Sequence, residues 1–255
     1  MADLDLVPPP YLARPDLAEQ ALEGLVRADA YRRTRPMHGR PPVADIRSDA
    51  DPASPRVDQL LHGEAFDVLD EQGGRLLGRN RRDGVVGWMD AADLAPGAPR
   101  PRGRVAAIGQ GLPLNALVQE GGVDAGVFET DPVLIAERLI GTPHELGARS
   151  SFSTDCSGLV QQALLACGHA GPRRADQQAE LGEAIGREEA RRGDLVIWLH
   201  PTGGAGWTGH SAFMLDENRV LHASGDRGGV VVEAFAEADA RCRAGGFGLP
   251  VFRRL

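Results

Sequence analysis

"FSTDCSGLVQQALLACGHAG", residues 152–171, places a cysteine directly after an acidic residue, at what reads as the first turn of a helix. Ser153, Thr154 and Asp155 are all residue types that cap helix N-termini, and Gly168 closes the run. A thiol at that position lies where backbone N–H groups point outward. Such groups lower a cysteine's pKa and can hold a developing oxyanion. A small buried core residue would suit the same place, so Cys156 alone leaves packing and nucleophile both open. Cys167 reads as a packing residue on the apolar face of the same helix. The two cysteines are separated by about 16 Å of helix axis, too far for a disulfide.

A nucleophilic cysteine needs a base from elsewhere in the chain. Among the seven histidines, His38 and His62 fall near turns, His169 follows the helix stop, and His200 precedes Pro201 in a loop. His210 opens the run "HSAFMLD" and His222 lies in the next run, "RVLHAS". These runs read as paired strands joined at "DENR". For both histidines to face one side, the pairing must relate positions of equal parity. That requires a three-residue or bulged connection around Glu217, because a two-residue turn would set them on opposite faces. His210 is then the base for Cys156, and His222 orients it through the other ring nitrogen.

Around this core the chain reads in segments. Residues 1–40 form an arm, in which "VPPPY" favours polyproline geometry and "RPDLAEQALEGL" a short amphipathic helix. Residues 41–96 break into short runs split by turn formers, the texture of a small all-β barrel, with Trp88 packed in it at the domain interface. The basic clusters "YRRTRP" and "GRNRRDG" read as solvated turns. Residues 97–130 open on a Pro/Gly/Arg linker and have room for one or two further strands. Residues 131–255 start with "DPVLIAERLIG", a helix with Asp131 as N-cap and Pro132 at its first position. The Cys156 helix and four β-like runs follow, so this domain is α+β, helices packed on an antiparallel sheet. The glycine-rich "HPTGGAGWTGH" (200–210) reads either as a mobile lid with Trp207 as a substrate wall or as a long hairpin connection.

Whole-chain properties narrow the partners. A net charge of −8 over 255 residues argues against nucleic acid and against an anionic membrane surface. No apolar run approaches a membrane span. Three cysteines fit a reducing compartment better than a disulfide scaffold. No metal-ligand spacing occurs, and "GQGLPLNALVQEGG" lacks the strand–helix context of a phosphate loop, so no cofactor or metal is expected. The amino terminus has no basic region followed by an apolar stretch, so a cytoplasmic protein is expected.

"TDCSGLV" (154–160), "RRGDLVIW" (191–198), "TGHSAFML" (208–215) and "RVLHAS" (219–224) resemble, in order and spacing, the NlpC-type cell-wall cysteine peptidases, which are papain-like. The resemblance covers residues 131–255 and implies Cys156 as nucleophile, His210 as base and His222 as its orienting partner. Residues 41–96 look like the bacterial SH3-like domain that precedes the catalytic domain in one subgroup. That subgroup cuts between γ-D-glutamate and the diamino acid of murein stem peptides with a free N-terminal L-alanine. The resemblance thus implies murein peptide recycling, with Asp155 on the substrate amine and Ser157 beside it. Departures from the pattern stand at three positions. His144 occupies the place of an oxyanion tyrosine, Val85 that of an amine-holding tyrosine, and Ala175 that of a serine. These keep a thiol amidase or acyltransferase, or a peptide-binding protein, open as other readings.

Overall fold

The computed structural model describes residues 11–98, 100–109, 111–204 and 207–255. The polyproline reading of Val7–Pro10 lies outside them. The N-terminal β domain comprises β1 (Arg35–Gly39), β2 (Val43–Arg47), β3 (Arg56–Leu61), β4 (Ala65–Gln72), β5 (Arg75–Asn80), β6 (Val86–Asp90) and β7 (Leu94–Pro96). They form one antiparallel sheet in the order β3-β2-β6-β5-β4-β1-β7. Among the described residues no pairing joins β3 to β7, so the expected barrel is an open sheet. Its alternating apolar positions meet in one core of Met37, Ile46, Leu60, Phe66, Leu76 and Met89. Gln72 pairs with Arg75 across Gly73 and Gly74, both at positive φ, which is the two-residue turn that matches strand twist.

The arm departs from expectation. Instead of an amphipathic helix, only Gln20–Leu22 turn, as a 3-10 helix. Leu12 and Leu17 are buried against Leu69, Leu77 and Trp88 on the outer face of the sheet. Arg14 pairs with Asp70, and Glu19 with Arg79, so the arm gains more by lying along the sheet than by coiling. Trp88 is therefore covered by the arm and not placed at the domain interface. The "GRNRRDG" arginines are not free in solvent either: Arg79, Arg81 and Arg82 pair with Glu19, Asp67 and Glu64.

Between the domains, Gly103–Arg104 pairs with both Leu117–Val118 and Val123–Asp124. Asn115, at φ 67, accepts from Arg104 and donates to Gln162, tying this segment to the helix that carries Cys156.

The C-terminal domain holds α1 (Pro132–Arg138), α2 (Cys156–Ala166), α3 (Ala175–Gln178) and α4 (Phe235–Ala244). Its strands are β8 (Glu183–Ile185), β9 (Leu195–Gly204), β10 (Trp207–Met214), β11 (Arg219–Ser224), β12 (Gly229–Ala234) and β13 (Val251–Arg254). They run β8-β13-β9-β10-β11-β12, every neighbour antiparallel. α1 and α2 cover one face, through Leu159, Leu164, Ile197, Phe213 and Leu221. α4 covers the other, through Ala238, Cys242, Trp198, Ala212 and Val220. Asp131 caps α1 by accepting from the Val133 and Leu134 amides. α2 is buried from Ser157 through Ala166, its polar Gln161 and Gln162 included. Cys167 is its half-buried C-cap, one residue past the helix end and not at the mid-helix position expected for it. The β9–β10 strands continue along "HPTGGAGWTGH", with Gly204 opposite Trp207, so this stretch is a hairpin extension. Its residues 205 and 206 lie outside the described ones.

Candidate active site

The α2 N-terminus carries Cys156 at its first helical position, with Asp155 as N-cap accepting from the Gly158 amide at 2.8 Å. Of the first-turn amides, the cap takes only that of Gly158. Gly158 has a packing reason: a Cβ there would lie 2.4 Å from the Ala148 carbonyl oxygen and 3.0 Å from Arg149 Cα. The 142–154 loop can therefore close over the helix start, where Thr154 donates its amide to Pro143.

Opposite Cys156 the sheet opens. β10 and β11 pair only at Phe213–Leu221 and Met214–Val220, after which β10 follows β9 and β11 follows β12. By strand alternation the Gly209 carbonyl and Ser211 amide point into this gap. Cys156 Sγ fills it, donating to Gly209 O at 3.7 Å, with the Ser211 amide placed to favour its charged form. The thiol thus rests against the backbone on both sides of His210.

Residues 216–218 form the β10–β11 connection, closed by the Leu215 amide on Arg219 O at 2.8 Å. Three residues preserve parity, so His210 and His222 share a face, and His210 Nε2 lies 2.7 Å from His222 Nδ1. Their rings meet edge to face, and Trp198 packs 5.9 Å from His210. His144 sits against Gly225 at the end of β11, close enough that its charge would oppose protonation of His210.

The electrostatics are those of a neutral resting pair. Burial, and then the Asp155 charge, push the Cys156 thiol up to about 12. Burial and His222 hold His210 well below its usual 6.5, and burial takes His222 to about 4. The lowered thiol pKa expected from the helix start is thus reversed. Enclosure of Sγ and the adjacent carboxylate outweigh the first-turn amides.

The structure also adds groups that the sequence did not reveal. His222 Nε2 lies 3.0 Å from Glu233 Oε2, at an angle outside hydrogen-bond geometry. Arg241 of α4 binds both Glu233 oxygens, at 2.7 Å to Oε2, and Arg227 donates to Oε1 at 2.9 Å. Burial raises the Glu233 carboxyl, but the two arginines outweigh it and hold the group at about 2. A single acidic residue within "GVVVEA", diagonal to His222 across the β11–β12 ladder, was the available signal.

The expected substrate-binding residues divide. Asp155 is 2% exposed and both its oxygens are taken. Gly158, Ser157 and Arg173 donate to Oδ1, while Gly147 and Arg173 donate to Oδ2. A carboxylate has about four acceptor sites, so no place remains for an ammonium unless a donor leaves. Ser157 is likewise engaged, donating to Asp155 and accepting from Arg173 at 3.0 Å. Trp207 packs on His200 and Phe247 at the hairpin end, forming an aromatic cluster rather than a wall beside the thiol. Ala175 lies under Gly209, buried.

Arg173 also reaches Asp58 of β3 at 2.7 Å, linking the N-terminal domain to the residue before Cys156. Arg149 donates to Gln59 and pairs with Glu64, Asp58 and Asp83. α2 itself reaches across, Gln161 Nε2 donating to Asp83 at 2.9 Å. Burial and the neighbouring Asp83 push Asp58 up to about 7, against the pull of both arginines. A cavity of about 240 Å³ lies between the domains, walled by Val57, Val85 and Val86 on one side and by Arg174, Gln177 and Thr208 on the other. Among the described residues, no group of three or more His, Cys, Asp or Glu is arranged to hold a metal. No helix among them is long and apolar enough to cross a membrane.

Comparison with known proteins follows the same division. Residues 141–242 match the NlpC/P60 family, and residues 46–94 match the bacterial dipeptidyl-peptidase SH3 domain. A probable endopeptidase of Haemophilus influenzae is 37% identical over 92 residues, 36% of this chain and 55% of that protein. The murein DD-endopeptidase MepS/murein LD-carboxypeptidase of Escherichia coli is 33% identical over 99 residues, 38% of this chain and 50% of that protein. A γ-D-glutamyl-L-lysine dipeptidyl-peptidase of Bacillus subtilis is 30% identical over 85 residues, 33% of this chain and 28% of that protein. The aligned stretches thus span about half of the first two relatives and less of the third. A solved NlpC/P60 family protein from Bacillus cereus has the same fold, with a TM-score of 0.68 over 86% of this chain and 99% of that one, at 14% identity.

Proposed function

We propose that this chain, which matches the NlpC/P60 family over residues 141–242 and a bacterial dipeptidyl-peptidase SH3 domain over residues 46–94, is a cysteine peptidase that hydrolyses the γ-D-glutamyl–diamino acid bond of murein stem peptides. The observation that carries the mechanism is the His210–His222 contact at 2.7 Å beside a thiol held at a helix start. Cys156 passes its proton to His210 as sulfur attacks the γ-carbonyl. The first-turn amides of α2, with His144 at the rim, hold the oxyanion. His210 then protonates the leaving amine, and water activated by the same ring releases the acyl group from sulfur. Starting from a neutral pair, charge appears only as the bond forms.

The acyl part of the substrate enters the cavity between the domains, where Val85 stands. A free L-alanine amine and a role in murein recycling in the cytoplasm belong to the same proposal. Three unpaired thiols fit a reducing compartment. The full coordination of Asp155 favours a second reading, a thiol amidase or acyltransferase on a different amide, or a peptide-binding protein. The test is incubation with L-Ala-γ-D-Glu-meso-diaminopimelate and with its N-acetylated form, followed by mass spectrometry, with Cys156→Ala as control. Release of L-Ala-γ-D-Glu from the free peptide alone supports the full proposal. Cleavage of the acetylated form as well removes the amine requirement, and no Cys156-dependent cleavage of either overturns the proposed substrate.

A further inference from the structure

We propose that Glu233 is a positioning residue that sets the proton arrangement of the histidine pair, acting through His222; this rests on the peptidase reading. A base at His210 works only if the ring nitrogen turned toward the reacting centre is unprotonated. Its Nε2 is engaged with His222 Nδ1, so Nε2 must carry the proton and Nδ1 the free electron pair. That in turn requires His222 Nδ1 to accept, and so to place its own proton on Nε2. Imidazole alone does not enforce this, since both neutral forms are accessible to it.

Glu233 enforces it. A lone pair on His222 Nε2 would stand 3.0 Å from a carboxylate oxygen and be repelled, whereas an N–H there is attracted. The carboxylate is kept charged and in place by Arg241 and Arg227, and Asp226 holds Arg241 from its other side at 3.1 Å. His222 is fully buried, so no water competes for Nε2. The order of proton positions therefore runs from the arginine pair through Glu233 and His222 to the free Nδ1 of His210.

Glu233→Gln tests the order because the two arginines keep the amide oxygen. The new NH2 group then faces His222 Nε2, which must accept. The proton moves to His222 Nδ1, His210 turns into its Nδ1–H form, and the base is lost. Glu233→Ala presents no donor and leaves the pair free to adopt either form. The expected result is an inverted series: kcat falls roughly ten-thousandfold in Glu233→Gln, as when the wrong tautomer is enforced in a Ser–His–Asp triad, and less in Glu233→Ala, with KM little changed in both. A merely structural role gives the opposite rank, the truncation being worse than the near-isostere, and that rank overturns the proposal. A second measurement needs neither substrate nor variant folding. Two-bond 15N–1H correlation of labelled histidine in the parent protein at pH 7 should show His222 as the Nε2–H form, and an Nδ1–H form overturns the proposal. Absence of murein-peptide cleavage with an Nε2–H signal at His222 marks a failed substrate assignment and leaves the positioning role standing.

Discussion

Cys156 and His210 rest neutral because each charged form loses its water and meets an unfavourable neighbour, Asp155 for the thiolate and His222 for the imidazolium. The sign for activity follows. The base must be unprotonated, and burial moves its protonation to lower pH, so kcat/KM should stay level as pH falls through 6.5 and drop only well below it. A pH–rate profile checks this, and an acid limb at or above 6.5 contradicts it. Glu233 has the reverse linkage to stability. Its carboxyl is held at about 2 against a usual 4.5, so its contribution is fully present above about 4.5 and is lost as pH falls through 2. Denaturant unfolding of the parent and of Glu233→Gln should therefore converge between pH 5 and pH 2.5.

At the scale of elements, the site depends on two helix-and-strand fits. The start of α2 reaches the gap between β10 and β11 because Gly158 lets the 148–149 backbone pass within van der Waals distance. Gly158→Ala should lower stability by about 1–3 kcal/mol and cut kcat through displacement of Cys156, read by thermal melting and by turnover. The second fit is the three-residue β10–β11 connection, which is legible in the sequence. Two histidines meant for one face leave only odd-length or bulged connections, and residues 216–218 are of the odd-length kind. The arm was not legible in the same way. Helical spacing of its leucines was real, but Leu12 and Leu17 found a ready apolar surface at Leu69, Leu77 and Trp88, and tertiary contact overrode local preference.

For the whole molecule, the two domains are locked by charges with almost no exposure. Arg173 spans Asp58 and Asp155, and Arg149 spans Gln59, Glu64 and Asp83. Removing one partner of such a cluster leaves the others buried and unpaired, so Arg173→Ala should cost about 3–5 kcal/mol in unfolding free energy. It should also reduce turnover more than a surface change would, because Asp155 loses its fork next to Cys156. A variant with parent-like melting would show that the Asp58–Arg173–Asp155 chain contributes little.

The sequence by itself determined the local and periodic features: the α2 start at Asp155–Cys156, the Asp131–Pro132 helix, the strand order from His210 to Ala234, and the parity that brings His210 to His222. Each follows from capping chemistry or from the two-residue period of a strand, which act over a few neighbours in the chain. Only the tertiary structure decided how Asp155 is used, where Trp207 packs, that the thiol rests protonated, and that Glu233 stands behind His222. Those depend on Arg173, Phe247, Arg241 and the opened β10–β11 gap, groups distant in sequence whose approach is set by packing across layers and between domains.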